Sequence, residues 1–314
     1  MVPEDSCQYQ RRSEPTDTVY RSRIWQVAFG LQDTDGLAPS GYMRALADDN
    51  VYGRKSLAEV ANELHHYYDA AHPRKRDGLR EEEADKVSLR IVELLEDGAF
   101  SLDPMMLGVI HEHLFKDIDD EIYLPGAFKQ ESLVKCEEVL NGDSVLYGSP
   151  RLCERSLDML FAREFDHQYA PGSKLGEADM RNLSRFIANI WMVHPFAEGN
   201  TRTIAVFTEL YLRLMGFDVD NEPFAKHARY FRCSLVRACY QNRSIGVSLD
   251  TSYLESFISR LLGVRTVTMD YDSLWCLPLF AHPDKVRNVS MADAAPVQRR
   301  LIDRGVTTLL LERA

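Results

Sequence analysis

Residues 203–215, from Thr203 to Met215, are apolar almost all the way round a helix. A helix of that kind has to lie in the middle of a domain, covered by other elements on every side. The stretch before it, Gly176 to Val193, is helical too but one-sided. Its Leu183, Phe186, Ile187, Ile190 and Trp191 recur at i, i+3, i+4, i+7 and i+8. Between the two runs His194-Pro-Phe-Ala-Glu-Gly-Asn-Thr-Arg202. The rest of the chain must therefore wrap these helices and still leave that loop at their junction.

The flanking sequence supplies more helices. Pro39-Ser40 reads as a cap ahead of Met43, Leu46 and Ala47, and Ser56 caps a stripe of Leu57, Val60, Ala61, Leu64 and Tyr68. Glu81 to Leu95 is amphipathic with an acidic first turn, which the helix dipole favours, and Gly98 ends it. Helical stretches are also expected at 103–116, 149–164, 224–240 and 250–262, with a charged linker at 72–80. The texture changes at 123–147, where Pro125-Gly126 and Asn141-Gly142 are turn signals that predict a short hairpin or flap. The expected fold is mainly α, a helical bundle with a short β-hairpin flap over the loop.

Composition excludes several classes. The formal charge of -11 argues against a protein that grips nucleic acid through phosphate contacts. The six cysteines include no C-x-x-C pair and read as reduced, packed thiols. The first residues lack the apolar core of a signal peptide, and no stretch approaches the roughly 20 apolar residues of a membrane span. A soluble, cytoplasmic protein without membrane attachment is the expectation. Neither His65-His66 nor His111 and His113 has metal-ligand spacing.

The loop 194–202 gathers complementary chemistry. Gly199 and Asn200 permit backbone conformations that turn successive N–H groups towards one point. The next helix begins at about Arg202 and adds its dipole and unpaired amides. Arg202 is a forked cation suited to phosphate oxygens. Glu198 is a hard oxygen ligand for Mg2+ when substrate phosphates complete the shell. His194 suits general-base work near neutral pH, and Phe196 reads as the anchor of the loop. Each has a bland alternative, a structural histidine or an ordinary turn, and it is their order between these two helices that argues for a site.

The loop resembles the signature of the Fic (filamentation induced by cAMP) family, H-P-F-x-[D/E]-G-N-G-R-x-x-R. Ile110-His-Glu-His-Leu-Phe115, Pro125-Gly-Ala-Phe128 and Lys135 resemble the helix end and target-docking flap before the motif, and Asn221 through Tyr230 the segment after it. The resemblance implies a catalytic core over 99–262, an antitoxin-like helical module over 23–98, a loose tail at 1–22 and an extension at 263–314. It also implies a nucleotidyltransferase that moves AMP from ATP onto a Ser, Thr or Tyr hydroxyl of a target protein. His194 would be the base and Glu198 would hold Mg2+. Gly199 and Asn200 would form the anion hole and Arg202 would steady the downstream phosphates, with Thr201 and Lys135 also at the nucleotide. The target would dock on the flap at 126–147, and an antitoxin-like or self-inhibitory partner and a homo-oligomer are further expectations.

The chain departs from the family pattern at three points. Thr201 replaces the glycine before the motif arginine, Ala205 replaces the second arginine, and no Glu outside the motif is followed by Gly or Asn as the family's inhibitory signature requires. These departures keep two other readings open: a nucleotide-binding module that transfers nothing, or an enzyme using another nucleotide donor. A DNA-binding role for the basic positions of the 263–314 extension is a further rival, opposed by the acidic chain and the lack of a complete helix-turn-helix.

Overall fold

The structure is a computed structural model, and it describes residues 18–69, 76–167, 169, 175–263 and 268–287. Twelve α-helices are found among the described residues: α1 (Thr18–Gln32), α2 (Gly41–Val51), α3 (Leu57–Asp69), α4 (Arg76–Asp97), α5 (Pro104–Phe115), α6 (Asp120–Tyr123), α7 (Cys153–Asp166), α8 (Glu177–Val193), α9 (Asn200–Leu214), α10 (Glu222–Cys239), α11 (Ser252–Leu261) and α12 (Leu277–Ala281). Helix α1 begins inside the stretch expected as a tail. The remainder of that stretch, residues 72–75 of the expected linker and the extension beyond 287 lie outside the described residues, whereas residues 76–80, also expected as linker, are the first turns of α4.

Helix α9 is the axis. Every residue from Asn200 to Leu212 is buried, and α5, α8, α4 and α1 pack around it. Helix α8 presents Leu183, Phe186, Ile187, Ile190 and Trp191 inward, the face its periodicity predicted. Against its other sides lie α7, α10 and α11.

The N-terminal helices are bound tightly to this core. Helix α1 buries Ile24, Trp25, Val27, Ala28 and Leu31 and lies along α10 and α4. The approach is so close that a Cβ on Gly30 would fall 2.4 Å from the Phe224 carbonyl oxygen, a place only glycine can occupy. The caps follow the sequence: Ser40 Oγ accepts from Met43 N–H at 2.9 Å. Ser56 and Glu59 cap α3 reciprocally, Glu59 Oε2 accepting Ser56 N–H and Ser56 Oγ accepting Glu59 N–H. Asp85 of α4 then ties three helices together, accepting from Ser40 N–H, Ser40 Oγ and Tyr68 Oη at 2.7, 2.5 and 2.6 Å.

The expected hairpin is not present: no strand forms among the described residues. Glu138–Leu140 instead winds one 3-10 turn, and Asn141 and Gly142 take φ of 55° and 85°. A single antiparallel bridge joins Cys136 to Ser144. The turn signals were read correctly, but the groups a strand ladder needs are taken elsewhere. Val139 C=O accepts from Cys276 N–H, and Glu137 C=O accepts from Gly142 N–H within the turn. Val139, Leu140 and Val145 are buried, and Asp143 is held by Tyr240 and Arg287. The flap is thus a packed irregular segment, backed by the short turns of residues 268–287.

Candidate functional site: the junction of α8 and α9

Pro195 ends α8, because proline disfavours continuation of the helix at the residue before it. His194 accordingly takes a left-handed conformation, φ 52° and ψ 63°, as the C-cap of α8. The last carbonyls of a helix need outside donors, and the flap supplies them here. Gly148 N–H donates to Met192 C=O at 2.9 Å, and Lys129 Nζ donates to Val193 C=O at 2.9 Å. Lys129 N–H also donates to Pro195 C=O at 2.7 Å. The His194 ring lies 3.9 Å from the Tyr147 ring. Its Nδ1 is 3.2 Å from Trp191 C=O. A carbonyl only accepts, so Nδ1 carries the proton and Nε2 keeps its lone pair. Burial lowers the pKa of this ring well below the usual histidine value, and Lys129, Lys135 and Arg232 push in the same direction. His194 is thus favoured as the neutral imidazole, and its Nε2 has no hydrogen-bond partner among the described residues.

The loop itself is built from the inside. Phe196 is fully buried, its ring 3.9 Å from that of His111 and nearly parallel. His111 Nδ1 accepts from Gly126 N–H at 3.0 Å, so its Nε2 holds the proton and donates to Glu198 C=O at 3.0 Å. Burial brings this histidine down to about 3, consistent with that neutral tautomer. Asn200 closes the turn with its side chain: Oδ1 accepts Phe196 N–H at 2.9 Å and Nδ2 donates to Phe196 C=O at 2.8 Å. Gly199 has φ 76°, and a Cβ there would meet the Phe115 ring at 2.3 Å. At the start of α9, Asn200, Thr201 and Arg202 carry the first-turn amides that no intrahelical carbonyl can satisfy.

Glu198 is 5% exposed, and its Oε1 accepts from Gly199 N–H at 3.1 Å and from Lys135 Nζ at 3.2 Å. Its Oε2 makes no hydrogen bond among the described residues. No group of three or more metal-ligating side chains is assembled among the described residues. Glu198 Oε2 is the carboxylate oxygen this loop could give a Mg2+ ion that arrives with phosphate oxygens. Thr201 Oγ1 accepts from Trp191 Nε1–H at 3.1 Å, and the residue is buried.

Arg202 lies apart from the other loop side chains. It is completely buried, with Nη2 2.7 Å from Glu83 Oε1 and 3.2 Å from Tyr123 Oη. Its Nη1 donates to Gln32 Oε1 at 3.3 Å, and the guanidinium carbon sits 4.8 Å from the Phe115 ring centre. Nε is 2.9 Å from Asp35 Oδ2, a close ion pair whose N–H does not point at the oxygen. Asp35 also faces Arg232 Nη1 at 3.3 Å. Burial alone would raise the Asp35 carboxyl, but Arg202, Lys135 and Arg232 together hold it below its ordinary value. The structure brings His194, Glu198, Gly199, Asn200, Thr201 and Lys135 together around the loop, and it ties the Arg202 charge to Asp35 and Glu83.

Residues 101–212, which contain α5, the flap and the whole loop, match the family model described as Fic/DOC family. The chain carries a Fic/DOC domain. A probable protein adenylyltransferase of Sinorhizobium fredii is 28% identical over 131 residues, covering 42% of this chain and 62% of that protein. The chain thus spans less than two thirds of the curated relative it matches. No solved structure matches it.

Several residues of the Fic/DOC domain and its surroundings were not legible as site residues. Glu83, one of the three acidic residues that open the amphipathic stretch 81–95, is 5% exposed. It lies one helical turn before the fully buried Val87, on the inward face of α4. Asp35 and Arg232 carry no local signal, since each acts through a residue far away in sequence. Lys129 follows Phe128 directly, at the end of a segment that already looked like the flap.

Proposed function

We propose that the chain is a Fic-type protein adenylyltransferase that transfers AMP from ATP to a Ser, Thr or Tyr hydroxyl of a target protein. The observation that carries this reading is the state of His194: a neutral ring whose Nδ1 is fixed by Trp191 C=O and whose Nε2 is free beside the loop. Such a nitrogen is arranged to take the proton of a target hydroxyl as it attacks the α-phosphorus, with pyrophosphate leaving. The α-phosphate oxygens would meet the N–H groups at the start of α9, where amides and helix dipole both favour negative charge. Lys135 and Glu198 flank this place, and Mg2+ held by Glu198 would neutralise phosphate charge when the nucleotide is bound. For Arg202 to steady the downstream phosphates, Asp35 and Glu83 must release it. The target would lie along the flap at 126–147. The match to a probable protein adenylyltransferase supports the same class of transfer.

The second reading, a domain that binds nucleotide and transfers nothing, is favoured by the burial of Arg202 and by Ala205 at the second arginine position. Incubation with Mg2+, α-labelled ATP and a cell lysate separates the two. Label on the chain or on a lysate protein, absent with His194→Ala, supports AMP transfer. Nucleotide binding without label in either form supports the second reading, and label from a different nucleotide would change the donor.

A further inference from the structure

Lys129 has no part in the chemistry above, yet it holds an unusual position. It is 2% exposed, and no carboxylate pairs with it among the described residues. A buried ammonium with no counter-charge is costly and is rarely found without specific hydrogen bonding. Lys129 spans His194 instead: its Nζ binds the carbonyl of residue 193 and its main-chain N–H binds the carbonyl of residue 195. His194 itself is in a left-handed conformation that non-glycine residues adopt uncommonly. The two bonds hold the peptide group before His194 and the one after Pro195, and so bracket the His194–Pro195 unit that carries the ring.

We propose that Lys129 is the positioning residue of His194, holding the backbone on either side of the base and keeping a positive charge beside the ring. The inference deepens the transfer reading above and rests on His194 being the base. The groups facing His194 are Lys129 and Lys135 on the flap, Tyr147 at the flap's end, and Arg232 on α10. Lys135 is paired with Glu198 and Arg232 with Glu137 and Asp35. Among the described residues, Lys129 is the cation of this set that has no carboxylate partner. Cys153 of α7 is the titratable group that in turn influences Lys129, and burial brings the ammonium down to about 8. Around neutral pH it is therefore still mostly protonated.

The test is an NMR titration of the His194 ring in the whole chain, without substrate, for the natural protein, Lys129→Met and Lys129→Gln. Lys129→Met removes charge and donor and fills the same space with an apolar chain. Lys129→Gln keeps a donor and loses the charge. We expect His194 to titrate at higher pH in both variants, and the acidic limb of the labelling rate to move up with it. The turnover number should fall about tenfold to a hundredfold in Lys129→Met, and less in Lys129→Gln, because misplacement of a reacting group is costly to rate. Folded variants with an unchanged His194 titration and an unchanged rate would overturn the proposal. So would a loss of rate that comes only with unfolding while the ring titrates as before. The ring titration needs no activity, so the role of Lys129 can fail or hold independently of whether AMP is transferred.

Discussion

The two ends of the loop 194–202 are built in opposite ways. At the His194 end the backbone is held by neighbours and one ring nitrogen is left over: Lys129 and Gly148 take the carbonyls, Trp191 takes Nδ1, and Nε2 has no hydrogen-bond partner among the described residues. At the Arg202 end the side chain is what is held. Its nitrogens lie against Glu83, Tyr123, Gln32 and Asp35, and its plane lies near Phe115. One end offers a lone pair to whatever enters; the other joins α9 to α1 and α4. A residue's chemistry is thus set by which of its groups the fold has already engaged, and not by its type alone.

Four measurements would break or sharpen that contrast. The largest effect is expected for Arg202→Ala, which takes the cation from the buried Glu83 carboxylate and leaves Asp35 with Arg232 alone. Removing one partner of such a cluster costs roughly 3–5 kcal/mol, readable as a lower urea midpoint. A change under about 1 kcal/mol would mean that Arg202 is not a structural tie.

Gly199→Ala comes next, because its Cβ would overlap the Phe115 ring at 2.3 Å and φ is 76°. About 2–4 kcal/mol of destabilisation is expected from overpacking and left-handed strain together. It should also harm labelling, since the same shift moves Glu198. A fully stable variant would show that the loop can yield between its two ends.

Acid should weaken the histidine side of the contrast first. His111 and His194 both have pKa values below the ordinary 6.5 in the folded chain. The unfolded chain therefore binds more protons as pH falls through about 6.5, and stability drops with it. Two such groups amount to roughly 2–3 kcal/mol by pH 5.5. The Asp35 pair acts in a different window: its carboxyl is lowered, so its stabilisation is complete above about 3.8 and lost only below that. Thermal melts between pH 7.5 and 5.5 that do not move would contradict the neutral state of both rings.

Thr201→Val is the mildest. It removes the acceptor of the Trp191 indole N–H and should cost about 1–2 kcal/mol. If Thr201 instead faces the phosphates, nucleotide affinity will change more than stability does, and parallel melting and ATP titration distinguish the two.

Helix placement was readable because it rests on local periodicity. The face of α8, the caps at Ser40 and Ser56 and the buried ring of Phe196 all follow from neighbours within a turn or two. The hairpin was misread for the complementary reason. Its turns are local, but whether its arms pair depends on Cys276 and Arg287, which lie far along the chain. The partners of Arg202 are remote in the same way, with Glu83 removed by 119 positions. Glu81, Glu82 and Glu83 look alike in a line of text, and only the phase of α4 against its neighbours separates the buried one from the others. Thr201 shows the limit most simply. A residue that differs from the family pattern in the loop is explained by a hydrogen bond to Trp191, a turn back in the preceding helix.

The ion pair between Asp35 and Arg202 has a practical meaning for anyone cutting this chain into parts. Helices α1 to α4 look like a module that could be trimmed away to expose a minimal catalytic piece. Removing them would instead take one carboxylate from Arg202 at a cut near residue 70, and both if α4 goes as well. It would also bare the groove of α10 where Gly30 seats against Phe224. A shortened chain that shows no activity would then report a collapsed scaffold, so the informative variants are point changes at Asp35 or Glu83 within the intact chain.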